Sequence, residues 1–239
     1  MLIGHILNVF FINITILAPN KWLFFLSLSR FKYPHFLLAH MKIMAFSDVH
    51  ADLEIARCLV KRAQKKDIEL IVCAGDFTVF ERQLKPMLKL FNSIGKPVVL
   101  IPGNHEEPTA VEKYISDCKH IAFIHKKIWR YNGFTFLGWG TDGFTKRSEE
   151  FRMVARKWRQ KLTADDTTIV LVTHAPPHGT MLDKLDKEHI GNKDIRTAIE
   201  WIQPVLAISG HIHENEGRRD KIGKTVAVNP GWKGMVLTV

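Results

Sequence analysis

Five short clusters in the 239-residue chain carry side chains able to bind cations or move protons. They are Asp48-Val49-His50, Gly75-Asp76, Gly103-Asn104-His105-Glu106, Thr173-His174 and Gly210-His211-Ile212-His213. Imidazole nitrogen, carboxylate oxygen and amide oxygen suit manganese, iron, zinc, cobalt or nickel. In an extended chain residues two apart face the same way, which pairs Asp48 with His50 and His211 with His213. A carboxylate has two oxygens and can join two cations, so Asp76 is the natural bridging ligand. A glycine precedes three of the clusters and allows tight backbone turns beneath a site. Each cluster alone is weak. With twelve histidines a D-x-H or H-x-H pair arises by chance, and Asp after Gly is most often a turn or helix cap. The weight lies in the ordered set.

The clusters need elements to bring them together. Lys42 to Phe46, Leu70 to Ala74, Pro97 to Ile101, Thr168 to Val172 and Val205 to Ser209 are short apolar runs that read as buried strands, and each is followed at once by one cluster. Asp52 to Lys65 reads as a helix with Leu53, Ala56, Leu59, Val60 and Ala63 on one face; Phe80 to Ile94, Ser148 to Leu162 and Asp194 to Ile202 read as further helices. This alternation predicts βαβ units, a mainly parallel sheet, and ligands at the strand ends of one sheet edge. Ile121 to Ile124, Lys127 to Tyr131 and Phe134 to Leu137 are shorter strands, with Asn132-Gly133 as a hairpin turn. Lys224 to Val228 and Met235 to Val239 close the chain as strands around Asn229-Pro230-Gly231.

Hydrophobic content of 46% and charged content of 24% are those of a soluble globular protein. Cys58, Cys73 and Cys118 form no C-x-x-C pair, which argues against a disulfide framework or a thiolate zinc site and places the chain in a reducing cytoplasm. The net charge of +10 attracts phosphate-bearing molecules without choosing among nucleotides, nucleic acid and anionic lipid, and its lysines and arginines are scattered.

Residues 1–40 are a separate segment: apolar, without Asp or Glu, and broken by His5, Asn8 and Asn13. A membrane anchor, a secretory signal and an upstream extension compete as readings. The favoured expectation is that translation begins at Met41, leaving a domain of residues 41–239 with a charge of +7, because Lys21, Arg30 and Lys32 lie upstream. A membrane association would require residues 1–40 to be translated and retained.

In order and spacing, the clusters resemble the calcineurin-like metallophosphoesterase superfamily, whose pattern is D-x-H, G-D, G-N-H-[DE], H, G-H-x-H, over residues 43 to 231. Thr173-His174-Ala175-Pro176-Pro177-His178-Gly179-Thr180, Gly210 to Glu214 and Val228 to Gly231 look like its small prokaryotic branch. The resemblance implies an α/β fold, a single-domain four-layer sandwich of two mixed β-sheets flanked by helices. It implies two divalent metal ions, with manganese expected. Asp48, His50, Asp76 and His213 would ligate the first, and Asp76, Asn104, His174 and His211 the second. His105 would contact the phosphate and protonate the leaving group, together with Asp76 as a catalytic residue. Asn104, His105 and His178 would face the substrate. Such a pair of cations clamps phosphate oxygens and lowers the pKa of a shared water, whose hydroxide attacks phosphorus. Glu106 is either an orienting partner for His105 or an exposed helix-start acid.

The implied function is hydrolysis of small phosphate mono- or diesters, nucleotides included. A nuclease is the alternative, supported by the basic charge but by no aromatic-interleaved basic stripe. A non-catalytic scaffold is disfavoured because every ligand is present. A protein Ser/Thr phosphatase is disfavoured because Gly75-Asp76-Phe77-Thr78-Val79-Phe80-Glu81 and Pro102 lack the arginines of that branch. Oligomeric state is not readable.

Overall fold

Each early strand has apolar side chains on both faces, so each must be covered twice. The computed structural model describes residues 40–239, and it covers these strands with helices on one side and a second sheet on the other. The first half of the chain runs β1 (Lys42–Phe46), α1 (Leu53–Ala63), β2 (Leu70–Cys73), α2 (Leu84–Asn92), β3 (Val98–Leu100), α3 (Pro108–Ile115) and β4 (Ile121–Phe123). The second half runs β5 (Ile128–Tyr131), β6 (Phe134–Trp139), α4 (Glu149–Lys161), β7 (Thr168–Thr173), β8 (Lys184–Leu185), β9 (Glu188–His189), α5 (Lys193–Ile202), β10 (Leu206–Ile208), β11 (Arg219–Ile222), β12 (Thr225–Val228) and β13 (Met235–Thr238).

The five-stranded sheet is ordered β13-β1-β2-β3-β4 and the six-stranded sheet β11-β12-β10-β7-β6-β5. Both have parallel centres, and β13, β11 and β5 join antiparallel at their edges. Two mixed sheets thus replace the one mainly parallel sheet that the strand–helix alternation suggested, as the family resemblance implied. The period-two alternation of the strands explains why. Met44, Phe46, Ile71, Cys73, Val98 and Leu100 face α1, α2 and α3. Their neighbours Ile43, Ala45, Leu70, Val72 and Val99 face the other way, onto Phe134, Phe136, Val170, Val172, Leu206, Ile208 and Val228 of the second sheet. Leu137, Leu171, Ala207 and Ala227 close the outer face of that sheet under α4 and α5. The result is four layers.

Capping fixes where the helices begin. Asp52 accepts from the Glu54 and Ile55 amides at 2.9 Å each, and Asn192 accepts from Asp194 and Ile195 at 2.8 and 3.0 Å. The turn Asn132-Gly133 has φ of 47° and 80°, the left-handed pair of a tight hairpin. The helix expected from Phe80 begins only at Leu84, because Phe80, Glu81 and Gln83 have φ of 46°, 63° and 62° and the Glu81 amide donates to the His105 carbonyl at 3.2 Å. The readings of residues 1–40 lie, apart from His40, outside the described residues. No helix among the described residues is long and apolar enough to cross a membrane.

Candidate metal centre

The five clusters sit at the carboxyl ends of strands drawn from both sheets. β1, β2 and β3 lead into Asp48, Asp76 and Asn104; β7 and β10 lead into His174 and His211. The single sheet edge anticipated from the sequence is therefore the joined ends of two facing sheets. Backbone bonds lock the turns together. Asp48 N donates to Gly75 O, His50 N to Asp76 O, and Gly210 N to His174 O, each at 3.0 Å. Two of the glycines are required by close approach. A Cβ on Gly103 would lie 2.0 Å from Asp76 Oδ1, and one on Gly210 would lie 2.5 Å from Asp48 Oδ2.

The paired residues do not converge through extended-chain periodicity. Asp48, His50, Asp76 and His211 have φ of 58°, 48°, 49° and 72°, so three of the five clusters turn sharply at a functional side chain. Left-handed non-glycine residues cost about 1 kcal/mol or more and gather at functional sites. His211 and His213 consequently join different groups. Asp48, His50 and His213 form one; Asp76, His174 and His211 form another; His50, Asp76 and His105 lie between. Within each group the donor atoms lie within 4.8 Å of one another.

The hydrogen bonds show what this cluster requires. His174 Nδ1 is 2.9 Å from the Ala74 carbonyl, an acceptor only, so Nδ1 carries the proton. That leaves a lone pair on Nε2 of the neutral ring. Nε2 faces Asn104 Oδ1 at 3.0 Å and Asp76 Oδ2 at 3.2 Å, also acceptors. Three acceptor-type atoms converge, and the arrangement is stable only with positive charge at its centre, either a proton on Nε2 or a cation in its place. The His211 Nε2 atom is buried without a hydrogen-bond partner. On the other side His50 Nε2 lies 3.0 Å from His213 Nε2, which is 3.7 Å from Asp48 Oδ1. These donors fit divalent cations of the borderline class, and none is a thiolate.

The electrostatics agree. Burial pulls the His174 pKa down, but the Asp76 carboxylate outweighs it and raises it to about 9. Burial pushes Asp76 up, yet the His174 charge and hydrogen bond hold it below the usual carboxylate range. Burial and the neighbouring His174 charge push His211 down to about 4, which keeps its ring neutral at pH 7.

Glu106 takes neither role anticipated for it. It is buried and accepts from Asp76 N at 3.0 Å, Thr78 N and Oγ1 at 2.7 Å each, and Gly103 N at 2.7 Å. It ties the turn after β2 to the turn after β3. Burial and the adjacent Asp76 charge push it up to about 7.

His105 lies with the cluster. Its amide donates to Asp76 Oδ1 at 3.0 Å, its Nε2 is 3.9 Å from Asp76 Oδ2, and its ring is edge-on to His50 at 5.0 Å. His178 is placed differently. Its Nδ1 is 3.5 Å from Asp183 Oδ2 and its ring packs on His189. Asp183 is buried and also accepts from the Gly179, Thr180 and Gly191 amides and His189 Nδ1. His178 belongs to none of the candidate metal groups. Sequence reasoning did not single out Asp183, nor Phe80 and Phe144, whose rings lie 4.5 Å from His105 and 4.4 Å from His211. No local signal marks these three; their partners are distant in sequence or set by left-handed turns.

Residues 41–215 match the family described as Calcineurin-like phosphoesterase. The chain belongs to the calcineurin-like phosphoesterase family. That family works with divalent metals on phosphoesters, and this member supplies, among its described residues, three His/Asp groups that could hold such ions. It is 31% identical to an uncharacterised protein of Methanocaldococcus jannaschii, over 82% of this chain and 91% of that one. It is 27% identical to a UPF0046 protein of Caenorhabditis elegans, over 80% and 69% respectively. Among solved structures, a Thermus thermophilus protein covers 83% of this chain and 98% of its own, with a TM-score of 0.66 and 16% identity. A dimetal phosphatase from Danio rerio covers 79% and 86%, with a TM-score of 0.53 and 12% identity. These two likenesses show the fold.

Proposed function

We propose that the chain is a two-metal hydrolase of small phosphate esters. Asp48, His50, Asp76 and His213 would hold one cation, and Asp76, Asn104, His174 and His211 the other, with Asp76 shared. The observation that carries this reading is the meeting of His174 Nε2, Asn104 Oδ1 and Asp76 Oδ2, which can lie together only around a positive charge, a proton or a cation. Bound divalent ions, manganese foremost and iron, zinc, nickel or cobalt compatible, supply charge stabilisation for the phosphoryl oxygens and lower the pKa of water.

The chain's own residues do the rest. The backbone bond from His105 to Asp76 Oδ1 fixes the imidazole at the edge of the cluster. His105 is 20% exposed at its side chain, enough to meet a phosphate entering from solvent. An imidazole in that place donates a hydrogen bond to a phosphoryl oxygen and a proton to the departing ester oxygen. Asn104 turns its amide oxygen to the cluster beside His174. Glu106 carries no reacting atom; it holds Asp76 and Gly103 in register.

Hydrolysis of p-nitrophenyl phosphate or its bis ester, dependent on added metal, tests the reading. His105→Ala should lose about 10²–10⁴-fold in turnover, the range of general acid–base catalysis, while bound metal, counted by elemental analysis, stays at the wild-type level. Equal turnover by the variant would refute the role of His105.

A further inference from the structure

Among the described residues, the two most exposed large apolar side chains are Phe80, 73% exposed, and Phe144, 67% exposed. Single exposed apolar residues scattered over a surface need no explanation. These two are not scattered. Phe80 packs its ring 4.5 Å from that of His105, and Phe144 packs its ring 4.4 Å from that of His211. Both therefore border the metal centre, one at each end of its string of side chains. From Phe80 the string runs to His105, whose Nε2 is 3.9 Å from Asp76 Oδ2. From Asp76 it continues to His174 at 3.2 Å, and His174 packs on His211 at 5.2 Å between ring centres.

The chain around each ring is tied to the site. Phe80 has a φ of 46°, a conformation costly for a bulky residue. Its turn is fixed by the Val79–Arg82 bridge and by the bond from Glu81 N to the His105 carbonyl. Phe144 follows Gly143, which lies so close to the centre that a Cβ there would stand 3.2 Å from both Asn104 Oδ1 and His211 Cε1. The fold thus holds two solvent-facing phenyl rings against two site imidazoles, with little burial in return and, at Phe80, at a local conformational cost.

We propose that Phe80 and Phe144 are substrate-contacting walls that make the site selective for phosphodiesters bearing flat aromatic groups, nucleoside or aryl esters, over alkyl esters. The proposal rests on the phosphoesterase reading above and adds a substrate class to it. A phosphate seated over Asp76 has one ring beside each end of the cluster. A diester has a substituent for each wall, whereas a monoester would leave one wall unused. Stacking on an aromatic side chain is sequence-tolerant and worth roughly 5- to 150-fold per ring, so the preference would be for flat groups in general rather than for one base.

Two esters with the same p-nitrophenolate leaving group isolate the effect: thymidine 5′-(p-nitrophenyl) phosphate and methyl p-nitrophenyl phosphate, assayed on the manganese-loaded full chain. The ratio of their kcat/KM values should favour the thymidine ester by about tenfold or more. That ratio should fall at least about fivefold in Phe144→Ala or Phe80→Ala and be retained in the Phe→Tyr variants. Calorimetric binding of adenosine 5′-monophosphate and methyl phosphate should show the same advantage for the nucleotide and the same loss. Equal kcat/KM for the two esters, or a ratio unchanged in both alanine variants, would overturn the aromatic walls and leave the phosphoesterase reading standing. Turnover of neither ester would overturn the aromatic walls, and the phosphoesterase reading falls with them only if p-nitrophenyl phosphate is not hydrolysed either.

Discussion

His174 shows how much chemistry one side chain can report. Its Nδ1 is committed to the Ala74 carbonyl, so the state of Nε2 decides whether Asp76 and Asn104 face a proton or a cation. Without metal, the proton is held up to a pKa of about 9 by Asp76. Metal must displace that proton, and this sets the sign of a pH dependence. Below pH 9 the affinity for the cation at this group should rise with pH, by up to about tenfold per unit, and level off above 9. Metal-free stability should run the other way. A raised folded-state pKa contributes fully below the unfolded histidine value near 6.5 and is lost as pH rises through about 9. Calorimetric metal titrations at about pH 7, 8 and 9 check the first, and chemical denaturation of the chelated protein checks the second. A pH-independent affinity would mean that no proton is displaced at Nε2. The donor side chains themselves were legible in the sequence because metal chemistry is written in residue type. The role of Glu106, and Phe80, Phe144 and Asp183 altogether, were not, because each acts through a contact that only folding creates.

At the scale of elements, the turns after β2 and β3 are one unit because Glu106 accepts four hydrogen bonds between them. Glu106→Ala should destabilise the protein by about 3–5 kcal/mol, since it strands buried donors and breaks a charged network. Glu106→Gln, which keeps an acceptor, should cost less. Denaturant unfolding of the two variants measures this, and a loss under about 1 kcal/mol for alanine would contradict it. The strands that carry the site were readable because they are apolar on both faces. The start of α2 was not, because the Glu81–His105 bond and three left-handed residues convert its predicted first turn into a loop. α3 was missed although Pro108 marks its first turn, because it buries only Val111 and shows no apolar stripe. β11, reading Arg-Asp-Lys-Ile, was missed for the opposite reason: edge strands carry charge, which hides them from a hydrophobic pattern.

For the molecule as a whole, the two sheets share an apolar core and present their strand ends to one centre, each sheet supplying ligand-type residues. Asp48, Asp76 and Asn104 come from the first and His174, His211 and His213 from the second. Cations held there would tie the sheets together as well as act on substrate. The family pattern in the sequence implied this four-layer arrangement, while periodicity alone pointed to a single sheet, since period two cannot say whether a second apolar face meets helices or strands. Whether two ions act at this centre is decided by titrating the chelator-stripped chain with manganese, following bound metal and bis(p-nitrophenyl) phosphate turnover together. A two-metal hydrolase shows no turnover when stripped and an activity that saturates as two ions bind. Undiminished turnover in the stripped chain, or saturation of binding and activity at a single ion, would contradict it.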